Sequence, residues 1–84
     1  MKLVRISAIW CTSCILTNKD FKEIKEEHKD FEYEELDYDT DDIEKYNIGD
    51  ILPVIIVYKD NKEITRIIGE KRKKEIEKVI EELV

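Results

Sequence analysis

The only two cysteines in this chain of 84 residues are Cys11 and Cys14, and just two residues separate them. With their neighbours they read Trp10-Cys11-Thr12-Ser13-Cys14. A pair at that spacing can close a small disulfide or offer two soft thiolates to a metal ion. Which chemistry follows depends on the elements that position it. Residues 2–9 form an apolar stretch interrupted only by Arg5, and residues 12–28 carry an amphipathic helical pattern. The pair therefore falls where a strand gives way to a helix. Helix N-termini present unpaired N–H groups and a partial positive charge, which favour a thiolate. Cys11 is expected to stand exposed there and to ionise more readily than a free cysteine. Cys14 should lie one turn in, facing the core, close enough to bond to Cys11.

Composition narrows the setting. The length suits one domain spanning residues 1–84, which buries about 60–65% of its unfolded surface. A 42% hydrophobic content with fourteen isoleucines is enough to build that core. Charged residues reach 43% and the net charge is −6. That balance argues against non-specific nucleic-acid binding and for a soluble monomer. The first apolar run is too short for a signal sequence or a membrane span, so a cytoplasmic protein with no membrane partner is expected. In that reducing compartment a lone pair of cysteines is catalytic or metal-binding rather than a staple. A disulfide closing so short a loop also contributes little chain-entropy stabilisation.

The elements read as β-α-β-α-β-β-α. Strand 1 covers residues 2–9. Helix 1 covers 12–28, with Cys14, Phe21, Ile24 and His28 near one face and Ile15 beside them. Strand 2 covers 31–38, placing Tyr33, Glu35 and Asp37 on one side and Leu36 and Tyr38 on the other. A short helix is expected between residues 39 and 51, capped by Thr40 or Asp41, with Ile43 and Tyr46 inward. Pro53 opens strand 3, residues 54–58, the most apolar run and hence central. A turn over residues 59–62 leads to strand 4, residues 63–68, at an edge. Gly69 breaks the chain, and helix 3 covers 70–83 with Ile76, Val79, Ile80 and Leu83 in register. The sum is an α/β fold with a four-stranded mixed sheet, order 2-1-3-4, and three helices, the two long ones on one face.

At this point the chain resembles the thioredoxin family in a short form of glutaredoxin-like size. Trp-Cys-x-x-Cys follows the first core strand, Leu52-Pro53-Val54 sits where the family has a cis-proline loop, and Ile68-Gly69 sits where a glycine follows the last strand. The resemblance implies a protein-disulfide reductase in which Cys11 attacks a substrate disulfide and Cys14 resolves the mixed disulfide. It implies no cofactor beyond the redox-active Cys11–Cys14 disulfide. Its partners would be disulfide-containing proteins and an electron donor, either a reductase or a low-molecular-weight thiol. It further implies a cis Leu52-Pro53 bond that leaves the Leu52 backbone free to pair with an extended substrate. Trp10, Thr12, Ser13, Leu52, Pro53, Ile68 and Gly69 would then meet the substrate, with Ile9, Trp10, Leu52 and Ile68 as an apolar platform.

Two departures stand out. Thr12-Ser13 is neither the Gly-Pro of typical thioredoxins nor the Pro-Tyr of glutaredoxins, and Ile68-Gly69-Glu70 is a poor match to a glutathione-binding element. The family's buried acid before the cysteines is replaced by Arg5, and its partner lysine by Glu35. Arg5 and Glu35 either pair beneath the cysteines, with Glu35 helping to take the proton of Cys14, or are two solvated charges on a small sheet. The other polar features are read as local structure. His28 should serve the end of helix 1, Asp37, Asp39 and Asp41 form a solvated acidic surface, and Lys71-Arg72-Lys73-Lys74 opposes the dipole of the helix it begins. The rival function is a soft-metal site, Cu(I) or zinc, on the same two cysteines. The Met-x-Cys-x-x-Cys of copper chaperones has Ile9 in place of its methionine here, and the closing element here is helical.

Overall fold

The structure, a computed structural model, describes residues 1–83. Its elements are β1 (Lys2–Ser7), α1 (Thr12–Glu27), β2 (Glu32–Asp37), a single 3-10 turn (Glu44–Tyr46), β3 (Val54–Lys59), β4 (Lys62–Ile68) and α2 (Lys73–Leu83). The sheet order is β2-β1-β3-β4, as the sequence led us to expect. β1 runs parallel to β2, pairing Arg5 with Glu35, and antiparallel to β3, pairing Arg5 with Ile55. Asp60 and Asn61 turn β3 into β4 with φ of 54° and 65°, the left-handed pair that a two-residue hairpin requires.

Alternation along the strands divides the core in two. Leu3, Ile55, Val57 and Ile67 point to one face and meet Phe21 and Ile24 of α1 and Ile76 and Ile80 of α2. Val4, Ile6, Val54 and Ile56 point to the other, where Tyr46 and Leu52 cover them and both cysteines join the cluster. Each fully buried aliphatic side chain contributes about 1.5–3 kcal/mol. β3 is central and buried from Val54 to Val57, in keeping with its uninterrupted apolar run.

Three expectations need correction. Among the described residues there are two α-helices and not three, because the segment after β2 forms only a 3-10 turn. Its acidic residues are used in a tight turn instead. Asp37 accepts the N–H groups of Asp39 and Thr40, and Asp41 accepts that of Asp37. The cap expected from Thr40 or Asp41 is therefore absent, and Asn47, at φ 55°, ends the turn after three residues. Ile15 is 57% exposed and faces away from the core. Finally, the last helix starts at Lys73 rather than near residue 70.

The late start has a physical cause that also explains the basic run. Asp20, buried in α1, accepts the backbone N–H of Lys73 at 3.0 Å and so caps α2 from outside. The same carboxylate accepts Arg72 Nε at 2.7 Å. Lys73 pairs with Glu23 and Glu27 of α1. Cations at the start of α2 thus oppose its dipole but are held by three acids of the neighbouring helix. The Arg72 hydrogen bond holds the Asp20 carboxyl below the usual carboxylate range. A lowered folded-state value means that this stabilisation is present above the ordinary Asp range and is lost as pH falls through the folded value. Asp20→Ala should cost about 1–3 kcal/mol in urea unfolding at pH 7. The gap from the wild type should close in acid, and a gap that persists there would assign the loss to packing.

Candidate active site

β1 stops at Ser7, and the chain turns through Ala8, whose carbonyl accepts Cys11 N–H at 3.2 Å. Cys11 is extended, with φ −88° and ψ 111°, and occupies the N-cap of α1. Its carbonyl takes the first helical hydrogen bond from Ile15 N at 3.1 Å. Its sulfur accepts Cys14 N–H at 3.2 Å, doing what a Ser or Asp oxygen does at other helix starts. The thiol in turn donates to the Leu52 carbonyl at 3.7 Å. The Leu52-Pro53 peptide is cis, as expected. Cys11 is only 9% exposed, less open than its position at a junction suggests, because the Leu52 loop lies against it. Both thiols are free.

Cys14 is 1% exposed and lies behind Cys11. Burial, followed by the neighbouring Cys11 thiol, pushes its ionisation up to about 11. A backbone hydrogen bond from Ala8 and the charge of Arg5 pull the other way. The two sulfurs are thus unequal, one bonded at a helix N-terminus and one desolvated behind it.

Arg5 is 2% exposed, so it is no solvated surface charge. Its Nη2 donates to the Cys14 carbonyl at 2.9 Å and to Thr17 Oγ1 at 3.2 Å. Phe21 lies beneath the guanidinium, 5.4 Å from it. Nη1 is 3.9 Å from Glu35 Oε1. The expected pair therefore exists, but Glu35 is 49% exposed and its other oxygen takes Lys25 Nζ at 3.1 Å. Arg5 stands between Glu35 and Cys14. Burial pulls the guanidinium below its usual range, and Cys14, Glu35 and Cys11 pull it back.

Around the cysteines the surface is apolar. Ile9, Trp10 and Ile68 are exposed, and Thr12 is exposed beside them. Leu52, expected on the platform, is 6% exposed and belongs to the core. Ile51 is out in solvent instead, at 60%. Sequence reading missed Ile51 because in an apolar run before a proline nothing marks which side chain turns outward. Trp10 is held by Asp39, which accepts its indole N–H at 2.6 Å, and by the edge of Tyr38. Gly69 has φ +88°, and its N–H donates to the Pro53 carbonyl at 2.9 Å, tying the end of β4 to the proline loop.

Other candidates lie elsewhere. His28 caps the end of α1, stacks on Phe31 and contacts Glu77 at 3.2 Å. A depression of about 510 Å³ lined by Met1, Lys2, Tyr46 and Tyr58 opens at the other end of β1. Among the described residues no group of three or more His, Cys, Asp or Glu side chains converges to hold a metal ion, so a metal there would find only the two sulfurs. Among the described residues no helix is long and apolar enough to cross a membrane.

A thiol capping a helix, a second thiol buried behind it and a cis proline loop against the first make a thiol–disulfide oxidoreductase domain. The chain belongs to the thioredoxin family, whose family model, Thioredoxin, matches residues 1–82. Among solved structures it is similar to a reduced thioredoxin pre-protein of Schistosoma mansoni, at 26% identity and a TM-score of 0.87, over 99% of this chain and 78% of that one. The thioredoxin of Fasciola hepatica matches at 23% identity and a TM-score of 0.88, over 96% and 78% of the two chains. A malaria parasite thioredoxin-2, described as a component of protein secretion machinery, matches at 17% and 0.88, over 96% and 81%. The last two are likenesses of fold alone. No curated protein matches the chain.

The inequality of the sulfurs is measurable. Reduced protein treated with iodoacetamide at pH 7 should be alkylated at Cys11, with Cys14 following only as pH climbs toward about 11, where a raised thiol begins to ionise. Peptide mapping by mass spectrometry reads both sites, and equal labelling at neutral pH would contradict the burial of Cys14.

Proposed function

We propose that this protein is a small reductase of protein disulfides, working in the reducing cytoplasm as a monomer. One observation carries the reading. The Cys11 sulfur sits at the N-cap of α1, bonded by Cys14 N–H at 3.2 Å, with Cys14 buried directly behind it. Cys11 attacks one sulfur of a substrate disulfide as the thiolate. A bond forms between Cys11 and that sulfur, the substrate S–S bond breaks, and the departing sulfur takes a proton from solvent. Cys14, having lost its proton, attacks Cys11 Sγ, and the second substrate sulfur leaves as a thiol. The substrate gains two electrons and two protons, and Cys11 and Cys14 become a disulfide. A reductase or a low-molecular-weight thiol returns them to the dithiol. Neither nucleic acid nor membrane takes part.

Substrate meets the face formed by Ile9, Trp10, Thr12, Ser13, Ile51 and Ile68, with the Leu52-Pro53 backbone and Gly69 beside an extended segment. Glu35 influences Cys14 through the Arg5 guanidinium that separates them. No cofactor beyond the cysteine pair is required.

Reduction of insulin by dithiothreitol, followed by turbidity, tests the function. The protein should accelerate the reaction, and Cys11→Ser should abolish the acceleration. With dithiothreitol left out, reduced Cys14→Ser should stop after one attack and remain linked to substrate through Cys11. Tight retention of Cu(I) with no acceleration would favour the soft-metal role for the same sulfurs.

A further inference from the structure

Arg5 is a buried ion in the core: it is 2% exposed, its Nε has no hydrogen-bond partner among the described residues, and burial strips a charged group of its hydration. Its nearest carboxylate, Glu35, is half-exposed and shared with Lys25. The positive charge is therefore only partly balanced. Two of its contacts converge on the first two turns of α1, the Cys14 carbonyl and Thr17, and Thr17 itself donates to the Ser13 carbonyl. Beside Cys14 a shallow cleft of about 210 Å³, lined by Ser7, Ile15, Asn18 and Asp37, opens to solvent.

We propose that Arg5 is a positioning residue whose buried positive charge stabilises the Cys14 thiolate during resolution of the mixed disulfide. The proposal deepens the reductase reading and rests on it. In the mixed disulfide Cys11 Sγ is bonded to substrate, so its thiol no longer burdens Cys14. What remains is burial, which opposes ionisation, and the Ala8 backbone hydrogen bond and Arg5, which favour it. Cys14 releases its proton to solvent through the cleft and attacks Cys11 Sγ. The bond between Cys11 and the substrate sulfur breaks, and its electron pair leaves on the substrate sulfur, which is then protonated. Arg5 takes no proton; it is charged throughout. The other charges facing this spot are Glu35 and Asp37 from β2 and Lys25 from α1. β3 offers the apolar Ile55 opposite Arg5, and Arg72 and Lys73 of α2 are occupied by Asp20, Glu23 and Glu27.

The test uses 5,5′-dithiobis(2-nitrobenzoate) as the disulfide and stopped-flow absorbance. Reduced protein should release one thionitrobenzoate when Cys11 attacks and a second when Cys14 resolves. Arg5→Gln keeps a donor for the Cys14 carbonyl but removes the charge. Its second phase should be about tenfold slower at neutral pH, with the pH profile moved up by about one unit. Arg5→Lys keeps the charge and should stay within about threefold of the wild type. Glu35→Gln removes the counter-charge at the surface and should move the profile to lower pH. A folded Arg5→Gln with a wild-type second phase would overturn the proposal, as would an Arg5→Lys as slow as Arg5→Gln. Should Arg5→Gln fail to fold, Glu35→Gln decides: an unmoved profile, or a slower second phase marking Glu35 as the proton acceptor, overturns it. Absence of the first phase in the wild type would instead sink the reductase reading itself.

Discussion

A helix cannot satisfy its own first N–H groups, and in this protein a sulfur does so. Cys11 Sγ accepts Cys14 N–H in the place usually given to a hydroxyl or carboxylate oxygen. An anionic sulfur accepts such a bond more strongly than a neutral one, so the contact that starts α1 also serves the chemistry. The elements around it are arranged to deliver that sulfur. β1 must end at Ser7, Ala8 must turn the chain, and the cis proline loop must lie close enough for Leu52 to meet the thiol. Because α1 begins one residue after Cys11, Cys14 falls on the first turn, on the side that faces the sheet.

The second determinant is a charge placed where a small domain can least accommodate one. A core built by 84 residues has little apolar surface to spare, and a guanidinium in it displaces hydrophobic burial. The compensation is local. Two hydrogen bonds from Arg5 to the first two turns of α1, each worth about 1.5–3 kcal/mol when the donor is charged, and the face of Phe21 offset part of the lost hydration. The same bonds fix these turns of α1 to β1. A neutral side chain could fill the volume, but it could not hold those turns and also place a positive potential behind Cys14.

Most of the fold was legible because its signals are local and repetitive. The apolar run of β3, the strand–helix–strand spacing around α1 and the period of α2 each specify an element from neighbours alone, and the sheet order follows from connection rules. The cysteine pair was legible as a local motif, and the cis proline through the resemblance to the thioredoxin family. Much of what escaped depends on contacts distant in sequence. Asp20 caps a helix that begins 53 residues later, and nothing near Asp20 announces it. The basic run at residues 71–74 looked unfavourable because its acidic partners lie on α1. The acidic stretch after β2 suggested a capped helix by composition, yet its carboxylates fold back onto their own backbone. Arg5 was singled out by its place before the cysteines, but its burial could not be read from a strand with one charge in it.

Where the apolar surface lies follows from topology rather than from composition. Among the described residues, six of the seven large hydrophobic side chains left in solvent are Ile9, Trp10, Ile15, Leu16, Ile51 and Ile68. They belong to the segment leaving β1, the first turn of α1, the approach to β3 and the end of β4. Antiparallel pairing of β1 with β3, and of β3 with β4, brings all of these to one end of the sheet. In a chain that is 43% charged, polar residues were available for those positions, and folding gains nothing from exposing aliphatic groups there. For the reductase role proposed above, a thiolate meeting a disulfide in a protein needs a surface that sheds water readily around it. The end of the sheet that carries the N-cap sulfur is the one left apolar, so the reactive atom and the surface around it are set by the same strand connections.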